Sequence, residues 1–136
     1  MSRFLKVSAA GEILPADATD HVIARDTTTG LEWTVAEQPA MNWKAAKAWA
    51  ESLDLRGGGW RLPTVEELFL LADRSRYSPA IDQSAFPGCK NNWYWSGTVD
   101  ASSPSGFAWL VYFHNGHSYW YLQDAEGLVR AVRPGQ

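Results

Sequence analysis

The sequence has little cysteine, no cluster of positive charge and no long apolar run, and each of these absences excludes a class of protein. Its 136 residues include 1 cysteine, Cys89, so no disulfide can form within the chain. It contains no run of lysine and arginine, and the formal net charge of −3 argues against a nucleic-acid binder. No apolar stretch approaches the length of a bilayer-spanning helix. We therefore expect no nucleic-acid partner and no membrane insertion.

Motifs typical of catalysis are also missing. There is no G-x-S-x-G motif, no phosphate-binding loop and no dinucleotide-binding glycine pattern. Adjacent carboxylates on a helix, as at Glu66 and Glu67, point in different directions and do not form an acid/base pair. No neighbouring feature would activate Cys89, which favours a small, semi-buried apolar residue at that position. We expect a protein that is not an enzyme, has no catalytic residue and uses no cofactor.

Size and composition predict one domain. The chain is 46% hydrophobic and 20% charged, within the range of globular proteins, and its length suits a single core. Because the sequence has no internal repeat and its composition does not change along its length, we expect residues 1–136 to form one domain. Residues 1–20 are predicted to be an N-terminal arm or strand of it. The first six residues lack the long apolar segment of a secretory signal. The compartment is left open between the cytoplasm and export by another route.

The first half of the chain predicts a hairpin and then a helix. Residues 21–25 and 31–34 are strand candidates on either side of a turn-forming run, Asp26 to Gly30. After Asn42, a good N-cap residue, the apolar period changes from two to that of a helix. The apolar residues of this helix are Ala46, Trp49, Ala50 and Leu53.

A capping box predicts the start of a second helix. Thr64 is followed three residues later by Glu67, the arrangement in which each side chain satisfies the other's backbone N–H. Residues 74–92 have little periodicity and are predicted to form a long loop. Strands are predicted at residues 93–98, on both sides of Asn115-Gly116, and at residues 128–132. The apolar stripe of the second helix consists of Val65, Leu68, Phe69 and Ala72.

The dipeptide Asn115-Gly116 lies between two aromatic runs and predicts a tight hairpin. A type I′ turn requires positive φ at both central residues, which asparagine and glycine tolerate. With these two residues as the turn, the cross-strand partners are fixed. One face pairs His114 with His117, Tyr112 with Tyr119 and Leu110 with Tyr121. The other face is nearly all apolar and is expected to point into the core, with Phe113, Val111, Trp109, Ser118, Trp120 and Leu122.

The face that carries histidine and tyrosine is the candidate ligand-binding surface. Both side chains can pack a ring against a ligand and still offer a hydrogen bond. An equally open interpretation is that they are only good strand formers on a solvated sheet face. The facing imidazoles also suggest a metal, but zinc needs three or four ligands and no third is evident, so we predict no metal site. The candidate ligand-binding residues are Asn92, Trp93, Tyr112, His114, Asn115, His117, Tyr119 and Tyr121.

Several motifs occur in an order that resembles one bacterial family of unknown function, the Lcl C-terminal domain family. The resemblance implies an α+β, C-type-lectin-like fold related to the formylglycine-generating enzymes, with two helices packed beside antiparallel sheets and hairpins. The motifs run from residue 26 to the C-terminus. They are Asp26-x-x-x-Gly30-Leu31-x-Trp33, Trp43, Trp60-Arg61-Leu62-Pro63-Thr64-x-x-Glu67-Leu68, Tyr94-Trp95-Ser96, Ala108-Trp109-x-Val111-x-Phe113 and Val129-Arg130-Ala131-Val132-Arg133.

The family resemblance implies binding to glycans or other surface molecules, in some members as trimers. Two departures limit what carries over. Formylglycine-generating enzymes use paired cysteines, whereas Cys89 is alone, and Gln38-Pro39 is followed by Ala40 where calcium-dependent lectins have a third motif residue. Our hypothesis is a non-catalytic module that binds a glycan or a protein through the aromatic hairpin face. The alternative is a structural or assembly module that forms a dimer or trimer.

Overall fold

Two antiparallel sheets and two α-helices make up this computed structural model, which describes residues 3–135. One sheet has the strand order β1-β2-β3-β7 and the other has the order β4-β5-β6. The predicted α+β class is confirmed, and residues 1, 2 and 136 of the predicted domain lie outside the described residues. The elements are β1 (Phe4–Val7), β2 (Ile23–Asp26), β3 (Leu31–Thr34), α1 (Trp43–Ser52), α2 (Val65–Leu71), β4 (Trp93–Val99), β5 (Phe107–Tyr112), β6 (His117–Leu122) and β7 (Val132–Pro134).

Both helices begin where their capping residues predict. The Asn42 side chain accepts a hydrogen bond from the Ala45 N–H at 2.9 Å. The Thr64 hydroxyl accepts from the Glu67 N–H at 3.1 Å, and Glu67 Oε1 accepts from the Thr64 N–H at 2.8 Å. These bonds satisfy N–H groups that have no partner within the helix. None of the helices among residues 3–135 has the length and apolarity needed to cross a membrane.

Two details of the predicted elements are wrong. The last strand begins at Val132 instead of residue 128, because the preceding residues run between the sheets and place Arg130 in the core at 2% exposure. In α2 the buried residues are Leu68 and Leu71, whereas Phe69 is 40% exposed. The helix packs against one side of the β4-β5-β6 sheet, and Phe69 lies at the solvent-exposed groove beside β6.

The core consists of two apolar clusters on opposite sides of the β4-β5-β6 sheet. Tyr94 and Val111 belong to the cluster that contains the buried residues of α2. Trp95 and Leu110 belong to the cluster that contains the buried residues of α1. Because neighbouring residues of a strand point to opposite faces, each inner strand contributes to both clusters. The sheet is therefore covered on both faces along β4 and β5, and the outer strand β6 is left exposed at every residue.

The ion pair between Arg61 and Glu67 is expected to stabilise the folded state at neutral pH, and this stabilisation should be lost in acid. Arg61 donates to both carboxylate oxygens of Glu67, at 2.7 and 2.9 Å, and these bonds hold the pKa of Glu67 below its usual value despite partial burial. A depressed folded-state pKa stabilises the fold above the unfolded-state pKa, and the stabilisation is lost as the pH falls through the folded-state pKa.

We expect Glu67→Gln to lower the melting temperature at pH 7. The difference from the parent protein should shrink as the pH is lowered from 7 toward about 2, through the lowered folded-state pKa of Glu67. Circular dichroism melts of both proteins between these two pH values provide the measurement. A difference that stays constant across the range would show that ionisation of Glu67 does not contribute.

Candidate ligand-binding surface

The β5-β6 hairpin has a longer turn than the sequence predicts. Tyr112 pairs with His117, so the turn comprises the four residues from Phe113 to Gly116 instead of Asn115-Gly116 alone. Of that dipeptide only Gly116 has positive φ, 81°, and the type I′ prediction is wrong. The reason lies outside the hairpin. Phe113 is buried in the core, and its carbonyl accepts a hydrogen bond from the N–H of Ala80 in the long loop at 2.6 Å.

The new register changes which residues face each other but keeps each residue on its predicted face. A shift of two positions preserves the alternation, so Tyr112, Tyr119 and Tyr121 still share one face with Leu110. The predicted pairing of His114 with His117 is wrong.

On the opposite face, the prediction that every apolar residue is buried is also wrong. Val111 and Phe113 are buried, whereas Trp120 is 54% and Leu122 is 47% exposed. Both exposed residues belong to β6, the outer strand of the sheet. The seven-residue helix α2 lies mainly over the inner strands and leaves β6 uncovered on this face.

Aromatic side chains line a concave depression on the tyrosine face, with a volume of about 390 Å³. We name this depression the aromatic surface. Trp93 and Tyr121 meet edge to face with ring centroids 6.0 Å apart, and Tyr112 and Tyr119 meet at 6.4 Å. Leu110, only 4% exposed, forms its base. The lining residues are Trp93, Leu110, Tyr112, Tyr119 and Tyr121. Trp120 borders the surface at the β6 edge, while its ring lies on the opposite face against Trp109, with centroids 5.4 Å apart.

Trp93 is held in position from three sides. Its ring packs edge to face on Trp95 with centroids 4.9 Å apart, and its backbone N–H donates to Asn92 Oδ1 at 2.8 Å. On the third side lies Gly127, where a Cβ atom would come within 2.2 Å of the Trp93 ring. Only glycine permits this approach of backbone to ring. The ring therefore enters the aromatic surface in one orientation before any ligand arrives.

Four of the eight predicted site residues converge on the aromatic surface, and the other four lie elsewhere. Asn92 lines a smaller adjacent cavity behind Trp93. The His114 ring lies beside the surface, 5.7 Å from the Tyr112 ring between centroids, and forms a hydrogen bond of 3.0 Å with the Tyr77 hydroxyl. Asn115 has a local role in the turn, where its side chain accepts from the His117 N–H at 3.1 Å. His117 lies beside the surface, 6.4 Å from Tyr119 between ring centroids.

Sequence reasoning missed three contributors to this region. Leu110 lies on the tyrosine face in the predicted alternation, so a signal for it was present. Trp120 was assigned to the core, because nothing in a strand pattern distinguishes an outer strand from an inner one. Gly127 has no local signal, since its contact with Trp93 joins segments that are 34 residues apart in the chain.

The aromatic surface carries no formal charge. None of the residues that line it is acidic or basic. In the part of the chain that the structure describes, no group of three or more His, Cys, Asp or Glu side chains is placed to hold a metal ion. Cys89 is buried in the core, and burial raises the pKa of its thiol. The arrangement is suited to packing and neutral hydrogen bonds, with tyrosine hydroxyls and an indole N–H as the polar groups.

Comparison with known proteins places the chain in a family. The sequence model of the Lcl C-terminal domain matches residues 22–133, a range that contains both helices and the whole aromatic surface. No curated protein matches the sequence significantly. Since the family match spans most of the 136 residues, the chain belongs to the Lcl C-terminal domain family.

Proposed function

We propose that this chain is a non-catalytic binding module whose aromatic surface holds a short, neutral glycan. The observation that carries the proposal is the concave group of four aromatic rings, those of Trp93, Tyr112, Tyr119 and Tyr121, on one exposed face of the β5-β6 hairpin and the neighbouring strand β4. Large apolar side chains that remain open to solvent in one concave patch are typical of recognition surfaces.

The chemistry of the surface complements that of a sugar. The faces of a pyranose ring present C–H groups, which pack against aromatic rings, and its rim presents hydroxyls, which need hydrogen-bonding partners. Tyr119 and Tyr121, 42% and 51% exposed, offer both a ring and a hydroxyl. The orientation of Trp93 between Trp95 and Gly127 reduces the entropy that a ligand must overcome on binding.

The absence of charge along the surface favours a neutral ligand over a sulfated or carboxylated one. A polyanion is bound mainly by lysine and arginine, and its affinity falls steeply as salt screens them. No such side chain lines the aromatic surface, and the net charge of the chain is −3. Binding should therefore change little between about 50 and 500 mM salt.

We expect Tyr119→Ala and Tyr121→Ala each to weaken glycan binding by about tenfold or more, because each removes one stacking ring from the centre of the surface. Affinity is measured by calorimetry against a panel of neutral and sulfated oligosaccharides, at low and high salt. Both residues are exposed, so the variants should fold normally.

Tyr77→Ala is the matched control, since Tyr77 is 72% exposed and lies outside the aromatic surface. Equal losses of affinity in all three variants would indicate that the ligand binds at the hairpin tip near His114. A ligand found only among sulfated glycans, with salt-sensitive affinity, would overturn the proposal. Selective capture of a protein instead would assign the surface to protein recognition.

A further inference from the structure

Three of the four outer edges of the two sheets are covered by main-chain hydrogen bonds. The Leu14 N–H donates to β1 at 2.8 Å, and the Arg61 N–H donates to β7 at 3.0 Å. On the outer side of β4, the Leu128 carbonyl accepts at 2.9 Å. Along β6 no segment of the described residues takes the corresponding place.

The pairing pattern shows which groups of β6 point outward. The Gln123 N–H donates back across the hairpin at 2.9 Å, and hydrogen-bonded positions alternate along an antiparallel pair. The odd-numbered residues of β6 therefore bond to β5, and Ser118, Trp120 and Leu122 direct their N–H and C=O groups outward. The Leu122 carbonyl already accepts a hydrogen bond from the Ala125 N–H at 3.0 Å. The outward groups of Ser118 and Trp120 have no partner among residues 3–135.

The exposed apolar side chains of the protein are concentrated beside this edge. Of the eight large hydrophobic residues that are exposed among residues 3–135, six belong to β6 or α2. Between these two elements lies an apolar groove of about 310 Å³. Proteins usually protect an outer strand with lysine, proline or a bulge, and β6 has none of these. The residues that line the groove are Val65, Glu66, Phe69, Leu70 and Ser118.

We propose that a second copy of this chain pairs with β6, antiparallel and about a two-fold axis at Tyr119, to form a continuous six-stranded sheet. In this register Ser118 lies opposite Trp120 of the second copy, and Trp120 lies opposite Ser118 of the second copy. The free groups of these residues then make about four main-chain hydrogen bonds across the axis. In this register the Leu122 carbonyl keeps its hydrogen bond from the Ala125 N–H.

Side-chain size argues for a second copy as the occupant. Ser118 is the smallest residue of β6, and it lines the groove. The register places a half-exposed indole, Trp120 of the second copy, on the same face directly opposite it. The same contact is repeated by symmetry, so each copy supplies both the groove and the side chain that covers it.

Charge complementarity at the ends of the strand favours the same register. Residue 124 of one copy comes opposite residue 114 of the other. The acidic turn that contains Asp124 and Glu126 therefore approaches the hairpin tip of the second copy, where the Arg74 guanidinium donates to the Gly116 carbonyl at 2.5 Å. Opposite charges lie at both ends of an otherwise uncharged strand, and like charges are kept apart.

This inference does not rest on glycan binding. The groove and the aromatic surface lie on opposite faces of the sheet, so pairing leaves the tyrosine face open and brings two such faces side by side. A five-residue strand pair with its flanking side chains buries about 1,000 Å² in total, at the small end of specific interfaces. We expect a dissociation constant on the order of 10 to 100 μM.

Sedimentation equilibrium of the full chain from about 1 to 500 μM tests the association. The parent protein should change from monomer to dimer across this range. Trp120→Lys should raise the dissociation constant by about 30-fold or more, because it removes the covering ring and adds a charge to the edge. Ile13→Lys, the same charge change at an exposed residue beside β1, should dimerise as the parent does. A parent protein that stays monomeric, or a Trp120→Lys variant that still dimerises, overturns the proposal.

Disulfide trapping tests the register independently. In a Cys89→Ser background, Tyr119→Cys places two cysteines opposite each other at a non-hydrogen-bonded position. Their Cβ atoms are then about 4.5 to 5.5 Å apart, which is close enough for a disulfide to form. Diamide, which accepts two hydrogens as the two thiols join, should convert this variant to a covalent dimer at 100 μM or so. Tyr121→Cys, whose two copies are far apart in this register, is the control. Cross-linking through residue 121 in preference to residue 119 contradicts the register.

Glycan titrations at about 1 μM, where the parent protein is monomeric, report on the aromatic surface alone. A parent protein that binds glycan but does not dimerise overturns only the pairing. Normal dimerisation without glycan binding overturns only the proposed function.

Discussion

Replacement of Arg130 by methionine is expected to lower the melting temperature by about 15 °C. Arg130 is 2% exposed and ion-paired with Glu37. Methionine fills a similar volume but leaves the carboxylate without its partner. Removal of one member of a buried ion pair typically costs about 3 to 5 kcal/mol.

The surroundings of Arg130 explain why so much depends on one side chain. Its guanidinium donates to the Thr34 carbonyl at 2.6 Å and to the Val35 carbonyl at 3.2 Å, where β3 ends. It also packs on the Phe86 ring, 4.7 Å from the centroid. Burial lowers the pKa of Arg130 and the charge of Glu37 raises it, with a net upward direction. The cation therefore joins β3, the long loop and the C-terminal segment.

A double-mutant cycle separates the ion pair from the packing. We expect Glu37→Gln to recover part of the stability that Arg130→Met loses, because the amide leaves no unpaired charge and still accepts a hydrogen bond from the Tyr94 hydroxyl. Arg76→Met is the control, since Arg76 and Asp73 form an exposed pair whose loss should cost less than about 0.5 kcal/mol. Strictly additive effects of the two core substitutions, measured by urea denaturation, would contradict the assignment.

Replacement of Glu32 by alanine is the second large effect, with an expected loss of about 3 to 4 kcal/mol. The Glu32 carboxylate is 0% exposed and is the shared ion-pair partner of three arginines. Arg25 and Arg56 donate to Oε2 at 2.8 and 3.0 Å, and Arg133 lies 3.6 Å from Oε1. Strand pairing produces the arrangement, because Arg25 on β2 and Arg133 on β7 are both cross-strand partners of Glu32. Alanine leaves three positive charges with no counterion.

Anion rescue distinguishes this explanation from simple loss of packing. The vacated space between three guanidinium groups should bind formate or acetate, so either salt should raise the melting temperature of Glu32→Ala above its value in chloride at equal ionic strength. The parent protein should show no such difference. Glu51→Ala, which removes one member of an exposed pair with Lys47, should cost less than about 0.5 kcal/mol and show no rescue. Equal melting temperatures of Glu32→Ala in all three salts would refute the charge argument.

Local chemistry was enough to predict the helices and the faces of the hairpin. Asn42 and Thr64 start their helices through hydrogen bonds to residues three positions away, so the information lies within one turn of the chain. The alternation along β5 and β6 placed Tyr112, Tyr119 and Tyr121 on one face, and the two-residue shift in register left that assignment unchanged.

The errors arise where a distant segment competes with a local preference. Asn115-Gly116 prefers a two-residue turn, but burial of Phe113 and its hydrogen bond to Ala80 require a longer one. The exposure of Trp120 follows from the position of β6 at the outside of the sheet, and strand order cannot be inferred from the alternation of one strand.

By itself the sequence determined the starts of both helices, the family and the side of the hairpin on which each ring lies, because these depend on contacts between near neighbours or on motif order. Only the tertiary structure decided which rings converge. Trp93 reaches the aromatic surface through Trp95 and Gly127, and β6 is the strand left uncovered because other segments pair with the remaining edges. Both outcomes depend on contacts between residues far apart in the chain, whose geometry exists only after the sheets have formed.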